Sequence, residues 1–152
     1  MMKNRIASCT LFLGLAAMGL RAQGNHIFAQ KVVEGIKAAH PEITGLEVAA
    51  IKPGKGCQTI AATEAKEIGQ KCDKDELTAR KTNRPFVEQE KTEFDVTLPI
   101  HDPAGKIIAT AGMDFNLETG RTKETVVAEA LKIGVELERR LTSMSELFRP
   151  VQ

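Results

Sequence analysis

The stretch from Glu93 to Asp114 constrains this chain's fold more than any other. Phe94, Val96, Leu98 and Ile100 alternate with Glu93, Asp95, Thr97 and Pro99, so an extended chain sends four apolar side chains to one side and polar ones to the other. Asp102-Pro103-Ala104-Gly105 then reads as a turn, and Lys106 to Asp114 resumes as a strand rich in Ile and Ala. The two runs form a hairpin with one greasy face, which needs a second layer to cover it.

Two segments can supply that layer. From Asn25 to about Ala39, Ile27, Phe28, Val32, Val33, Ile36 and Ala39 recur at three- and four-residue steps, and the His40-Pro41 step ends the helix. From about Lys123 to Phe148, Val126, Val127, Ala130, Leu131, Leu137, Leu141 and Met144 make a second helical stripe. Between them, Leu46 to Ile51 and Gln58 to Thr63 flank Pro53-Gly54-Lys55-Gly56 and read as another hairpin, while Phe86 to Glu90 is a third candidate strand. Residues 64 to 85 carry many charges and few large apolar side chains. Asp73 followed by Glu76 fits a capping box that opens a short helix through about Lys81. The order predicts an α+β domain with a mainly antiparallel sheet, the terminal helices on one face and the charged excursion on the other.

The chain of 152 residues carries a formal charge of +1, with 42% apolar and 27% charged residues. That composition argues against wholesale disorder and against a dedicated nucleic-acid binder. Residues 1 to 24 read as an export signal: Lys3 and Arg5, an uncharged apolar stretch from Ile6 to Leu20, then Ala22-x-Gly24. The stretch is short for a membrane span, although an uncleaved anchor is the alternative. Cleavage after Gly24 would remove Lys3, Arg5 and Arg21 and no acid, so 21 basic residues become 18 against 20 acidic, a charge of −2 for residues 25 to 152. A periplasmic or secreted location is then expected. Cys9 would leave with the signal, and Cys57 and Cys72 remain as a disulfide candidate, against two free thiols or half a metal site.

Several pieces together resemble the single Cache domain, an extracytoplasmic PAS-like sensor module. They are Val48-Ala49-Ala50-Ile51-Lys52-Pro53-Gly54, Thr59 to Thr63, Glu67-Ile68-Gly69, Asn83-Arg84-Pro85-Phe86, Val96 through Ile108, and Ala111-Gly112-Met113-Asp114-Phe115. The resemblance spans about residues 25 to 148. It implies a five-stranded antiparallel PAS-like sheet flanked by N- and C-terminal helices, with a small-molecule pocket between the sheet and the segment linking the second and third strands. In amino-acid-binding members an Arg near the start of the third strand grips a carboxylate and an Asp ending the fifth meets an ammonium group; Arg84 and Asp114 are the matching positions. Those members also line the pocket with Tyr and Trp, and this chain has neither. That points towards an organic acid or another small, anionic metabolite, with a membrane-bound signalling protein as the expected partner.

From the residues alone each candidate has a plainer reading. Asp114 could cap the turn that follows its strand, Arg84 could be a solvated charge held extended by Pro85, and Asp95, Thr97 and Thr110 face either the pocket or water. His26, His40 and His101 share no metal-ligand spacing and read as surface residues. With no nucleophile elbow and no dinucleotide loop, no enzymatic activity, cofactor or metal is expected. The expected ligand contacts are Arg84, Asp114, Asp95 and Thr110. The alternative is an interaction domain whose pocket is filled by its own Phe86, Phe94 and Met113.

Overall fold

The computed structural model describes residues 27–152; the expected export signal and Cys9 lie outside them. Helix α1 (Phe28–Ala39) leads into strands β1 (Ile43–Lys52) and β2 (Gly56–Ala62), and a single 3-10 turn and helix α2 (Lys74–Thr82) follow. Strands β3 (Phe86–Gln89), β4 (Glu93–His101) and β5 (Ile107–Asn116) come next, then helix α3 (Lys123–Arg140) and the short α4 (Met144–Leu147). The five strands form one antiparallel sheet in the order β2-β1-β5-β4-β3. The α+β expectation is met.

The β4–β5 hairpin sits in the middle of this sheet, with Val96 opposite Met113, Leu98 opposite Ala111 and Ile100 opposite Ala109. These residues are all buried and share one core with Ile36 of α1 and with Ala130, Ile133 and Leu137 of α3. Gly134 lets α3 come down close to the sheet, since a Cβ there would stand 2.8 Å from Leu98 Cδ1. At the turn, the Asp102 carboxylate accepts the amides of Ala104 and Lys106, each at 2.9 Å, and Gly105 takes the positive φ that such a turn needs.

One boundary differs from the sequence reading. The stripe expected to run to Phe148 breaks after Arg140, where the Leu141 amide closes the helix on the Leu137 carbonyl and Ser143 caps the separate α4 through the Glu146 amide. The apolar period survives the break because Leu141 and Leu147 are both fully buried.

The opposite face of the sheet is covered by residues 63 to 85, as the charge pattern suggested. The capping box is formed: Asp73 accepts the Asp75 amide and Glu76 accepts the Asp73 amide, both at 2.9 Å. Ahead of it, residues 69 to 72 run back along β2, with Thr59 N–H donating to Gln70 O and Gly69 N–H to Thr59 O. Cys57 and Cys72 are disulfide-bonded with a Cα separation of 5.4 Å. A cross-link closing 15 residues contributes about 3 kcal/mol by restricting the unfolded chain.

Leu98 lies between sheet and α3 at the point of closest approach. Leu98→Ala is expected to cost about 2–5 kcal/mol, read as a lowered urea midpoint; an unchanged midpoint would contradict this placement of the core.

Candidate functional site

Because strand side chains alternate, the residues that lie between the core positions of β4 and β5 all face α2 and the excursion. Asp95 and Asp114 are direct cross-strand partners, Gly112 is opposite both Thr97 and Glu47, and Gly45 is opposite Asp114. Glycine at 45 and 112 opens the space that the neighbouring carboxylates occupy. A Cβ on Gly45 would overlap the Asp114 carboxylate, and one on Gly112 would stand 3.1 Å from Glu47 Oε1.

The result is a cavity of about 240 Å³ lined by Leu46, Glu47, Glu67, Glu93, Asp95, Gly112 and Asp114. Five of its seven lining residues are acids. Glu76 of α2, only 5% exposed, belongs to the same acidic group through its interaction with Glu47. Carboxylates directly opposed on adjacent strands repel one another, and burial strips away the water that would screen them. The structure answers by retaining protons. Burial first, then the Asp114 charge, pushes Asp95 up to about 7. Burial first, then Glu93 and Glu67, raises Asp114 to about 6. Burial, then a hydrogen bond with the Asp73 carboxyl and another with Glu47, carries Glu76 to about 8. Glu47 is also held by the Thr59 hydroxyl, which donates to its Oε2 at 3.1 Å.

Two of the expected contacts, Asp95 and Asp114, therefore line one cavity on the sheet face that the excursion covers. Thr110 shares their sheet face but not the cavity lining; it is fully buried with its hydroxyl unpartnered. Arg84 is exposed. The reason is local: Asn83 ends α2 in the left-handed conformation, φ 53°, and the chain leaves the helix face at that residue. Arg80, one turn after Glu76, is half-buried instead, with Nε and Nη2 shut off from solvent and without a partner. Burial lowers its pKa and no neighbouring carboxylate offsets the effect. The expected anionic ligand is at odds with a cavity lined by acids, which repels anions. Nor do Phe94 and Met113 fill the space, since both belong to the core on the far face, while Phe86 lies under the Lys74 ammonium at 5.5 Å.

The sequence reading missed Glu47, Glu67, Glu76 and Arg80. A lone acid inside the apolar run 46–51 was the available signal for Glu47. His40 and His101 are half-buried bridges, not free surface residues, while His26 lies outside the described residues: His40 joins Glu42 at 2.7 Å and Glu136 at 2.9 Å, and His101 joins Glu138 at 2.7 Å. Among the described residues no group of His, Cys, Asp and Glu could hold a metal ion. A larger cleft of about 490 Å³ between α1, the end of β2 and the C-terminus includes only one acid, Glu34, and one base, Lys31.

No family model and no curated protein matches the chain. Its fold is similar to the type II free methionine-R-sulfoxide reductase from Thermoplasma acidophilum, at 15% identity and a TM-score of 0.52, over 80% of this chain and 93% of that one. It is also similar to the GAF domain from the Acinetobacter phosphoenolpyruvate-protein phosphotransferase, at 7% identity and a TM-score of 0.50, over 75% and 90%. The fold is thus GAF/PAS-like. The expectation of a non-enzymatic chain, which rested on missing motifs, is corrected by the first likeness, because the Thermoplasma protein on this fold is an enzyme.

The raised carboxyls have a consequence for stability. Folded, they hold protons that the unfolded chain releases near pH 4, so stability falls as pH rises through about 4 to 8. His40, raised chiefly by its bond to Glu136, acts in the same direction above its ordinary value. The melting temperature is expected to drop between pH 5 and pH 8.5. Asp95→Asn should recover about 3 °C or more at pH 8.5 and little at pH 5. A melting temperature that holds or climbs over this range would contradict the protonated cluster.

Proposed function

We propose that this chain is a small-molecule-binding module of the sensor type, whose ligand lies between α2 and the acidic sheet face. The observation that carries this is the cavity under the excursion with Asp95, Asp114 and Glu47 converging on it. Acids held partly neutral only by burial and mutual repulsion gain most from a cation that takes the place of their protons. The ligand therefore carries an ammonium or similar cationic group, held by Asp95 and Asp114.

Arg80 supports the other half of the reading. Two guanidinium nitrogens shut off from water without a counter-ion are costly, and a planar carboxylate is their natural partner. Glu76 and Arg80 stand one helical turn apart on the buried side of α2, which suits a short dipolar ligand with its cationic end at the acids and its anionic end at Arg80. On this reading Arg80, not Arg84, takes the carboxylate. The resemblance to Cache modules and the export-type N-terminus support an extracytoplasmic sensor that works through a separate signalling protein.

Melting-temperature shifts with three probes test this: 4-aminobutyrate as the dipolar compound, putrescine as the amine and succinate as the dianion. The expected order is dipolar compound first, amine second, dianion without effect. Asp114→Asn should weaken binding of the first two at least tenfold, the scale of one lost hydrogen bond between charged groups. Arg80→Met should weaken only the first. A response to succinate alone, or no response to any probe, would overturn the proposal.

A further inference from the structure

Helix α2, the roof of the proposed site, adheres weakly to the sheet beneath it. Ala79 is its one fully buried apolar side chain, and Leu77, its only large one, is 50% exposed. Its covered side otherwise offers Glu76, which hydrogen-bonds Glu47 of β1, and the half-buried Arg80, and the desolvation of both opposes docking. At nine residues the helix is also shorter than the roughly 12–15 that isolated helices need. Neither packing nor propensity explains why it stays down.

Its two ends do. At the C-terminal end the Asn83 side chain bonds His101 Nε2 at 2.6 Å, and His101 is tied in turn to Glu138 of α3. At the N-terminal end the helix cap is Asp73, and the residue before it is Cys72, covalently fixed to β2 through Cys57. Cys57 and Cys72 are both partly exposed, so a reductant can reach them.

We infer that the Cys57–Cys72 disulfide is a redox latch on α2, and that reducing it lets the helix lift and opens the acidic cavity wider. The chemistry is thiol–disulfide exchange with a dithiol. One thiolate attacks a protein sulfur and breaks the Cys57–Cys72 bond, and the second displaces the other cysteine from the mixed disulfide. Two electrons and two protons pass to the protein, which ends with two thiols, and the dithiol ends as a disulfide. This rests on the site lying beneath α2.

Hydrogen exchange on the full chain, with and without dithiothreitol, reads the latch without any ligand. Amides of residues 77 to 82 are expected to exchange about tenfold faster or more after reduction, as local opening of α2 becomes easier, while β4 and β5 amides stay put. Carbodiimide coupling of glycine ethyl ester to Asp95 should rise in parallel. Unchanged exchange in α2 would overturn the latch, and so would an equal acceleration throughout the sheet, which would make the bond a general staple. Cys57→Ser/Cys72→Ser should reproduce the reduced pattern without reductant; if it fails to fold, the reduced native chain decides. Failure of the binding proposal would appear separately, as absent probe responses with the exchange difference intact.

Discussion

Everything in this domain depends on the pleat of β4 and β5. The same two strands face an apolar core on one side and a set of carboxylates on the other, and alternation makes the two inseparable. Shifting the register by one residue would drive Asp95 and Asp114 into the core and Phe94 and Met113 into the cavity. The core therefore fixes the geometry of the acids. Val96 can pair with Met113 only if Asp95 pairs with Asp114, so the repulsive contact is imposed by the favourable one next to it.

Burial, reinforced by repulsion among the acids, explains the protons. An exposed pair of aspartates would ionise and separate into water, but here the strands hold the backbones and the side chains are half-buried. The remaining way to lower the energy is to keep some carboxyls neutral. The two glycines belong to the same logic. Gly45 and Gly112 stand across from Asp114 and Glu47, so each carboxylate lies over a bare backbone position instead of being turned out to water. An acidic surface patch has no use for such room; an enclosed acidic site does.

What the sequence disclosed and what it hid follow the same physical division. Features set by neighbouring residues were legible: the alternation of Phe94 to Ile100, the Asp102 turn, the capping box of Asp73 and Glu76, and the even pair Cys57 and Cys72. Features set by how distant elements stack were not. Arg80 and Arg84 look alike in a run of charges, and the difference is one backbone conformation at Asn83 that keeps the first on the helix face and releases the second. Glu47 sits in an apolar run whose β5 partner, Gly112, could be found only from the register. The resemblance pointed to Arg84, whereas the arginine with nitrogens shut off from solvent lies one helical turn earlier, at Arg80.

The fold is what this chain shares in outline with the Thermoplasma reductase and the Acinetobacter GAF domain. A fold common to an enzyme and a GAF domain does not choose between roles; the residues placed over the open sheet face do. Here they bring Glu67 and Glu76 to an already acidic floor and leave two Arg80 nitrogens shut off from solvent without a partner. A cover that adds charge to like charge and partly buries an unpaired cation is poor as a lid alone. Its composition makes physical sense if a bound molecule of complementary charge completes the layer, in which case the ligand does for this face what α1 and α3 do for the other.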